Sequence, residues 1–171
     1  MQLFRLGFLG ALVAVAVGMT GSVALAQEDD KAFVYSLLQE AKGQIRFAQL
    51  AQERAQSDST HLLADRVLRE WQTVQTRLGE IAFEEAYPTP GAMNDEQSRT
   101  LDRLGHTQPE DFDMAYRQTI YNAYRHALAM LHDEESTSDQ NLNGFVGRTV
   151  PMFEQTRDMS NAPIPDTGSS R

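Results

Sequence analysis

Histidine and glutamate are the side chains of this sequence that could support metal chemistry. Helical bundles that bind two iron ions use Glu-x-x-His pairs, because positions i and i+3 of a helix present two ligands to one ion. None of the four histidines has a glutamate three residues before it. The nearest pattern is Asp58-x-x-His61 at the start of a helix, where we expect Asp58 to cap and His61 to be solvated.

A second possible metal site combines imidazole with methionine sulfur. His126 and Met130 are four residues apart on one helix, with His132 nearby, and soft donors of this kind suit copper. Met130 also fits the apolar seam of that helix, where methionine is an ordinary filler. We therefore favour a core Met130 and a surface His126, and we predict no metal and no cofactor.

Other catalytic and binding motifs are missing from the sequence. It holds no Gly-x-Ser-x-Gly elbow for a nucleophilic serine and no glycine-rich phosphate loop. It also holds no stripe of alternating aromatic and basic residues of the kind that binds nucleic acids. These absences favour a protein that is not an enzyme.

Residues 1–26 have the features of a secretory signal peptide. Arg5 is the only charge before Glu28, and an apolar run from Leu6 to Met19 follows it. The segment from Ala24 to Ala26 then offers the small side chains that signal peptidase accepts. Because the run is shorter than the roughly 20 residues of a spanning helix, we expect cleavage after Ala26 and export to the periplasm. An uncleaved adaptor tethered to the inner membrane is an alternative.

The part of the chain that remains after cleavage is acidic and has no cysteine. Removing residues 1–26 takes away one of 15 basic residues and none of the 24 acidic ones, so the formal charge becomes −10. Such a charge repels phosphates, so we expect no binding to nucleic acids or to an anionic lipid surface. After cleavage of residues 1–26 we also expect no membrane span. A chain of this length can bury one core without disulfides.

Apolar residues recur at steps of three and four through most of the remaining chain, which is typical of amphipathic helices. The pattern predicts an all-α protein: an antiparallel four-helix bundle with one short extra helix. We expect this domain to cover residues 27–161, followed by a disordered tail over 162–171. The predicted helices run from Asp29 to Ala55, Thr60 to Ala86, Asp95 to Leu104, Pro109 to Glu135 and Asp139 to Ser160.

Several short motifs connect the chain to a known family. They are Phe33, Gln49-Leu50-Ala51 with Ala55, Phe112-Asp113-x-x-Tyr116, and Pro151 near the end. With them, the sequence resembles the bacterial family called domain of unknown function 4142, over about residues 29–160. The resemblance implies a ferritin-like four-helix bundle behind a signal peptide, in a protein often labelled as an outer-membrane protein.

Four positions depart from the pattern of that family. The family usually has Glu before the isoleucine of its first helix, and this chain has Gln44. In the second helix the family usually has Asp-His, and this chain has Glu70-Trp71. Two later histidines of the family are replaced here by Tyr124 and Thr156. Of the positions that the resemblance marks as possible ligands, only Glu70 keeps a side chain suited to a metal.

We expect packing to replace ligands at these positions. Gln44, Trp71 and Tyr124 fall near the midpoints of long helices, which meet at one level in an antiparallel bundle. The sequence predicts that Trp71 and Tyr124 are buried in a central layer, with Gln44 close enough to satisfy a polar tip and Thr156 farther along.

The sequence thus indicates an exported, non-enzymatic bundle. We expect it to bind an unknown protein or envelope partner, or to contribute to envelope maintenance or stress tolerance. The alternative is a ferritin-like bundle that binds copper or iron. The residues that could then serve as ligands are Glu70, His126 and Met130.

Overall fold

Five α-helices and no strand form the part of the protein that the computed structural model describes, which is residues 20–135, 137 and 139–163. Four of the helices are long, with between 22 and 35 residues, and one has 12. The all-α prediction is confirmed. The helices are α1 (Thr20–Arg54), α2 (Asp58–Glu84), α3 (Asp95–His106), α4 (Pro109–Asp133) and α5 (Gln140–Asn161).

The four long helices form an antiparallel bundle of two hairpins. Short loops join α1 to α2 and α4 to α5, and across the bundle α1 packs on α4 while α2 packs on α5. The long connection between α2 and α4 carries α3 back along the bundle, beside α1. A single long crossover of this kind is the connectivity of ferritin-like bundles.

The apolar faces predicted from the spacing form one core. On α2, the helix with the clearest seam, every third or fourth residue is buried, and the faces of α1, α4 and α5 meet it in the same cluster. Burial of such stripes, more than helix propensity, stabilises helices in water. The α2 seam consists of Leu63, Val67, Trp71, Val74, Leu78 and Ile81.

The start of α2 is capped by Ser57, so the expectation that Asp58 caps this helix is wrong. The Ser57 hydroxyl accepts from the backbone N–H of Thr60. Asp113 of α4 accepts from the backbone N–H groups of Gln56 and Ser57, both at 2.8 Å. The acid of the Phe-Asp motif therefore ties the start of α4 to the loop between α1 and α2. Since Asp113 comes from a distant helix, local spacing could not reveal this contact.

Short α3 is held at both ends. Asn94 and Gln97, which have the spacing of a capping box, form a complete one at its start. At its other end α3 continues past Gly105 to His106, two residues beyond the predicted end at Leu104. Arg54 of α1 instead donates to the carbonyls of Leu104, Gly105 and Thr107 and satisfies the end of the helix.

Close packing between α1 and α3 depends on a glycine. A Cβ on Gly43 would lie 2.8 Å from the side-chain Cδ of Gln97, well inside contact distance. Without that atom, Gln97 reaches α1, where its Nε2 donates to the carbonyl of Gln39, and the Gln39 amide donates back to Gln97 Oε1. This pairing and the contacts of Arg54 place α3 along the C-terminal half of α1.

The predicted signal peptide and tail lie mostly outside the described residues. Residues 1–19 and 164–171 are not described, and residues 20–26 form the first turns of α1, which begins nine residues before the start expected at Asp29. Among the described residues, no helix combines the length and the hydropathy that crossing a membrane requires.

Candidate functional site

A buried carboxylate, Glu70, lies at the centre of the bundle and joins three helices. Its Oε1 accepts from Arg66 Nε and from the Thr156 hydroxyl, and its Oε2 accepts from the Tyr124 hydroxyl, each at 2.8 Å. Arg66 Nε also donates to Thr156 Oγ1, at 2.7 Å. Both oxygens of the carboxylate are therefore occupied, and a cation balances its charge. We call these four residues the central network.

Aromatic rings close the central network on its inner side. Trp71 packs edge-on against Tyr124, with ring centroids 5.8 Å apart and planes at 79°. Phe153 of α5 lies 4.8 Å from the Trp71 ring and 4.7 Å from the Tyr124 ring. All three rings are fully buried, so aromatic side chains form the core next to the central network.

Helical geometry explains how each member reaches this level. Glu70 and Trp71 are adjacent on α2 and point about 100° apart, so one faces α4 and α5 through its carboxylate while the other fills the core. Thr156 follows Phe153 by three residues and lies on the same face of α5. Burial raises the pKa of the Tyr124 phenol well above its usual value, and the negative charge of Glu70 raises it further. Tyr124 is therefore a stable donor to that carboxylate.

The pair formed by Arg66 and Glu70 is not on the outer face, where its i,i+4 spacing alone would allow it. Glu70 is only 7% exposed, and Arg66 is half-buried between the carboxylate and α5. Arg66 Nη2 also donates to Gln155 Oε1 at 2.9 Å. The orientation of the Arg66 side chain results from its contacts with α5, and the sequence of α2 alone does not predict these contacts.

Gln44 does not perform the role expected of it. Only 2% of its surface is exposed, but its Oε1 accepts no hydrogen bond from any described residue. Trp71 Nε1 likewise has no acceptor among the described residues. Glu70, and not Gln44, satisfies the Tyr124 hydroxyl. Gln44 lines another part of the molecule, where α1 faces α3 and α4.

That part is a cleft between α1, α3 and α4, with a volume of about 420 Å³. We call it the side cleft. Glu40 and Gln44 are one turn apart on α1 and share its wall with His126 of α4 and Glu96 of α3. Burial raises the pKa of Glu40; His126 and the Gln44 amide oppose this shift, and the charge of Glu96 adds to it. Glu40 is not among the candidate residues that the sequence motifs predict. The available signal was its position four residues before Gln44, beside the apolar seam of α1.

The three residues considered as metal ligands are not brought together. Glu70 belongs to the central network, exposed His126 borders the side cleft, and Met130 is half-buried against the core. Across the described ranges, no three acidic or histidine side chains stand close enough to hold a metal ion. Any ion at Glu70 would have to displace Arg66, Thr156 or Tyr124 from its carboxylate.

The comparisons with known proteins agree with the resemblance found in the motifs. No curated protein and no solved structure matches the chain. One family model does, over residues 16–162, and its description is Domain of unknown function (DUF4142). Since the match spans most of the sequence and the whole bundle from α1 to α5, the chain belongs to the domain of unknown function 4142 family.

Proposed function

We propose that this protein is an exported, non-enzymatic helical bundle of the periplasm that acts by binding another component of the cell envelope. The observation that carries the proposal is the central network. At the level where the family resemblance implies possible ligand positions, Glu70 is engaged by three donors, and three buried aromatic rings pack beside it.

Such a centre is suited to holding helices together and poorly suited to chemistry. A general base or metal ligand needs an accessible lone pair, and a nucleophile needs space for a substrate. Glu70 is nearly excluded from solvent, and its charge is already offset by Arg66. The basic start, apolar run and Ala-x-Ala site of residues 1–26 support export.

Export and metal content can be tested on one sample. The full-length chain is expressed with its own first 26 residues and purified from the periplasm, and its intact mass and elemental content are measured. We expect a mass that starts at Gln27 and no stoichiometric iron, copper, manganese or zinc. A retained N-terminal segment would refute export by cleavage. A metal near one per chain that is lost in Glu70→Ala or His126→Ala would establish the metal-binding alternative.

Partner binding can be tested at the most exposed aromatic residue in the described part of the chain. Phe83 near the end of α2 exposes 88% of its surface, and exposed aromatic side chains are favoured contacts in protein interfaces. A photoreactive phenylalanine analogue at position 83 should give a discrete adduct in cells. The same analogue at Glu80, one turn away and exposed, is the matched control. Absence of a specific adduct at position 83, or equal adducts at both positions, would refute this surface as the contact.

A further inference from the structure

A small pocket lies between α1, α2 and the connection that leads from α2 to α3. We call it the hairpin pocket; it has a volume of about 280 Å³ and a mainly apolar lining. Its wall consists of Lys42, Ile45, Arg46, Gln75 and Met93. Since small-molecule sites begin at about 300 Å³, a pocket of this size suits one short chain and excludes a bulky ligand.

The apolar part of the hairpin pocket is formed by Ile45 and Met93. Ile45 packs against the core with part of its side chain and stays half-buried. Met93 is also half-buried. It is held beside α1 because the Gln39 amide donates to the carbonyl of Ala92, the preceding residue, at 3.0 Å. Both side chains therefore keep apolar surface that a hydrocarbon chain would remove from water.

Positive charge borders this apolar surface. Lys42 and Arg46 are one turn apart on α1, and long basic side chains lay their methylene groups along apolar surface while the charged ends stay in water. No ion pair among the described residues includes either of them, and Arg46 Nη1 donates to a neutral acceptor, Gln49 Oε1, at 2.9 Å. Like charges at this spacing destabilise a helix. The two cations therefore remain uncompensated in a chain that has 24 acidic residues against 15 basic ones.

From this arrangement we propose that the hairpin pocket binds a single-chain anionic amphiphile, such as a fatty carboxylate. The alkyl chain lies on Ile45 and Met93, and the anionic group lies between Lys42 and Arg46. Charge complementarity decides the occupant, because a neutral ligand would leave both cations without a partner and a cation would be repelled. A carboxylate accepts charge-assisted hydrogen bonds from an ammonium and a guanidinium group at once. Phe83 does not line this pocket, so its failure would leave the proposed function unchanged.

Three ligands test the proposal by titration calorimetry on the purified full chain. Octanoate carries the chain and the anion, octylammonium carries the same chain with a cation, and acetate carries the anion without the chain. We expect saturable binding of octanoate and much weaker binding of the other two. In protein isotopically labelled at the methionine methyl groups, octanoate should shift the NMR signal of Met93. The signal of Met130, which packs against the core on α4, should stay unchanged.

Two variants and one control identify the contacts. The double variant Lys42→Gln with Arg46→Gln should weaken octanoate binding about tenfold, equivalent to about 1.4 kcal/mol. Met93→Gln should weaken it through the chain, while circular dichroism and the melting temperature show an intact fold. Arg69→Gln changes an exposed basic residue of α2 that does not line the pocket, and it should bind octanoate as the parent protein does.

Three results of these titrations would overturn the proposal: octylammonium that binds as tightly as octanoate, unchanged affinity in the double variant, or no saturable binding of octanoate. Vesicles distinguish a free amphiphile from a membrane surface. Sedimentation with phosphatidylglycerol vesicles, but not with phosphatidylcholine vesicles, in a protein that does not bind octanoate would also overturn the proposal. The two cations would then contact lipid head groups at a surface, and the pocket would hold no chain.

Discussion

Two glutamates at different places in this bundle have opposite surroundings. Glu70 in the central network has a cation and two hydroxyl donors on its carboxylate, and the helices close around it. Glu40 in the side cleft is half-buried, and the neighbouring Glu96 adds to the rise that burial causes in its pKa. The free energy of burying a carboxylate depends on its partners. Glu70 therefore contributes to folding, whereas burial of Glu40 opposes the ionisation of its carboxyl group.

The largest effect should come from the aromatic wall beside Glu70. Trp71→Ala removes a fully buried ring that packs on Tyr124 and Phe153, and such truncations cost about 3–5 kcal/mol. Urea unfolding should show this loss, whereas Tyr121→Ala, on the partly exposed flank of α4, should lose much less. Similar small losses in both variants would contradict the view that the centre holds the bundle together.

The second prediction changes the Glu70 carboxylate itself. Glu70→Ala leaves the Tyr124 and Thr156 hydroxyls without their acceptor and Arg66 without its charge partner. We expect a loss of about 2–4 kcal/mol in the free energy of unfolding, because the groups left behind are buried or half-buried. A loss below that of an exposed control, Glu53→Ala, would show that the network contributes no stability.

A third carboxylate extends the comparison to a site where two acids face each other. Glu134, directly after α4, lies beside Asp30 of α1. The pKa of Glu134 is raised to about 7 by burial, by the hydrogen bond with Asp30 and by the charges of Asp30 and Asp29. Because the folded state raises this pKa, the stability it contributes is fully present below about pH 4.5 and is lost as the pH rises through 7.

The change Glu134→Gln should remove that pH dependence. The variant and the parent protein should unfold at similar urea concentrations at pH 4.5, since both then carry a neutral side chain. At pH 8 the variant should be more stable, by about 1–2 kcal/mol after allowance for solvent screening. Unfolding curves at both pH values measure this, with Glu53→Gln as control. A variant less stable than the parent at pH 8 would mean that the ionised Glu134 has a favourable partner.

The smallest effect should be at Glu40. Glu40→Gln relieves a carboxylate whose ionisation is disfavoured by burial, so the free energy of unfolding at pH 7 should stay equal or rise, by less than about 1 kcal/mol. The sign is opposite to that for Glu70→Ala. A destabilisation as large as that of Glu70→Ala would show that Glu40 has structural partners and that the two glutamates do not differ.

By itself the sequence determined the elements and their inner faces. The three- and four-residue spacing placed the helices within a few residues of their observed ends, except at the start of α1, and Asn94 with Gln97 indicated the capping box. These features depend on neighbours within one or two turns, and such neighbours are present in any local segment. The family motifs were also readable from the chain alone.

Only the tertiary structure decided which polar groups became partners. Glu70 is joined to Thr156 across 86 residues and Asp113 to Ser57 across 56. Gln44 Oε1 and Trp71 Nε1, both near helix midpoints, form no hydrogen bond with the described residues. Four helices offer several rotations and neighbours that bury the same stripes equally well. The choice among them is made by packing between distant segments, for example the close contact that Gly43 allows between α1 and α3.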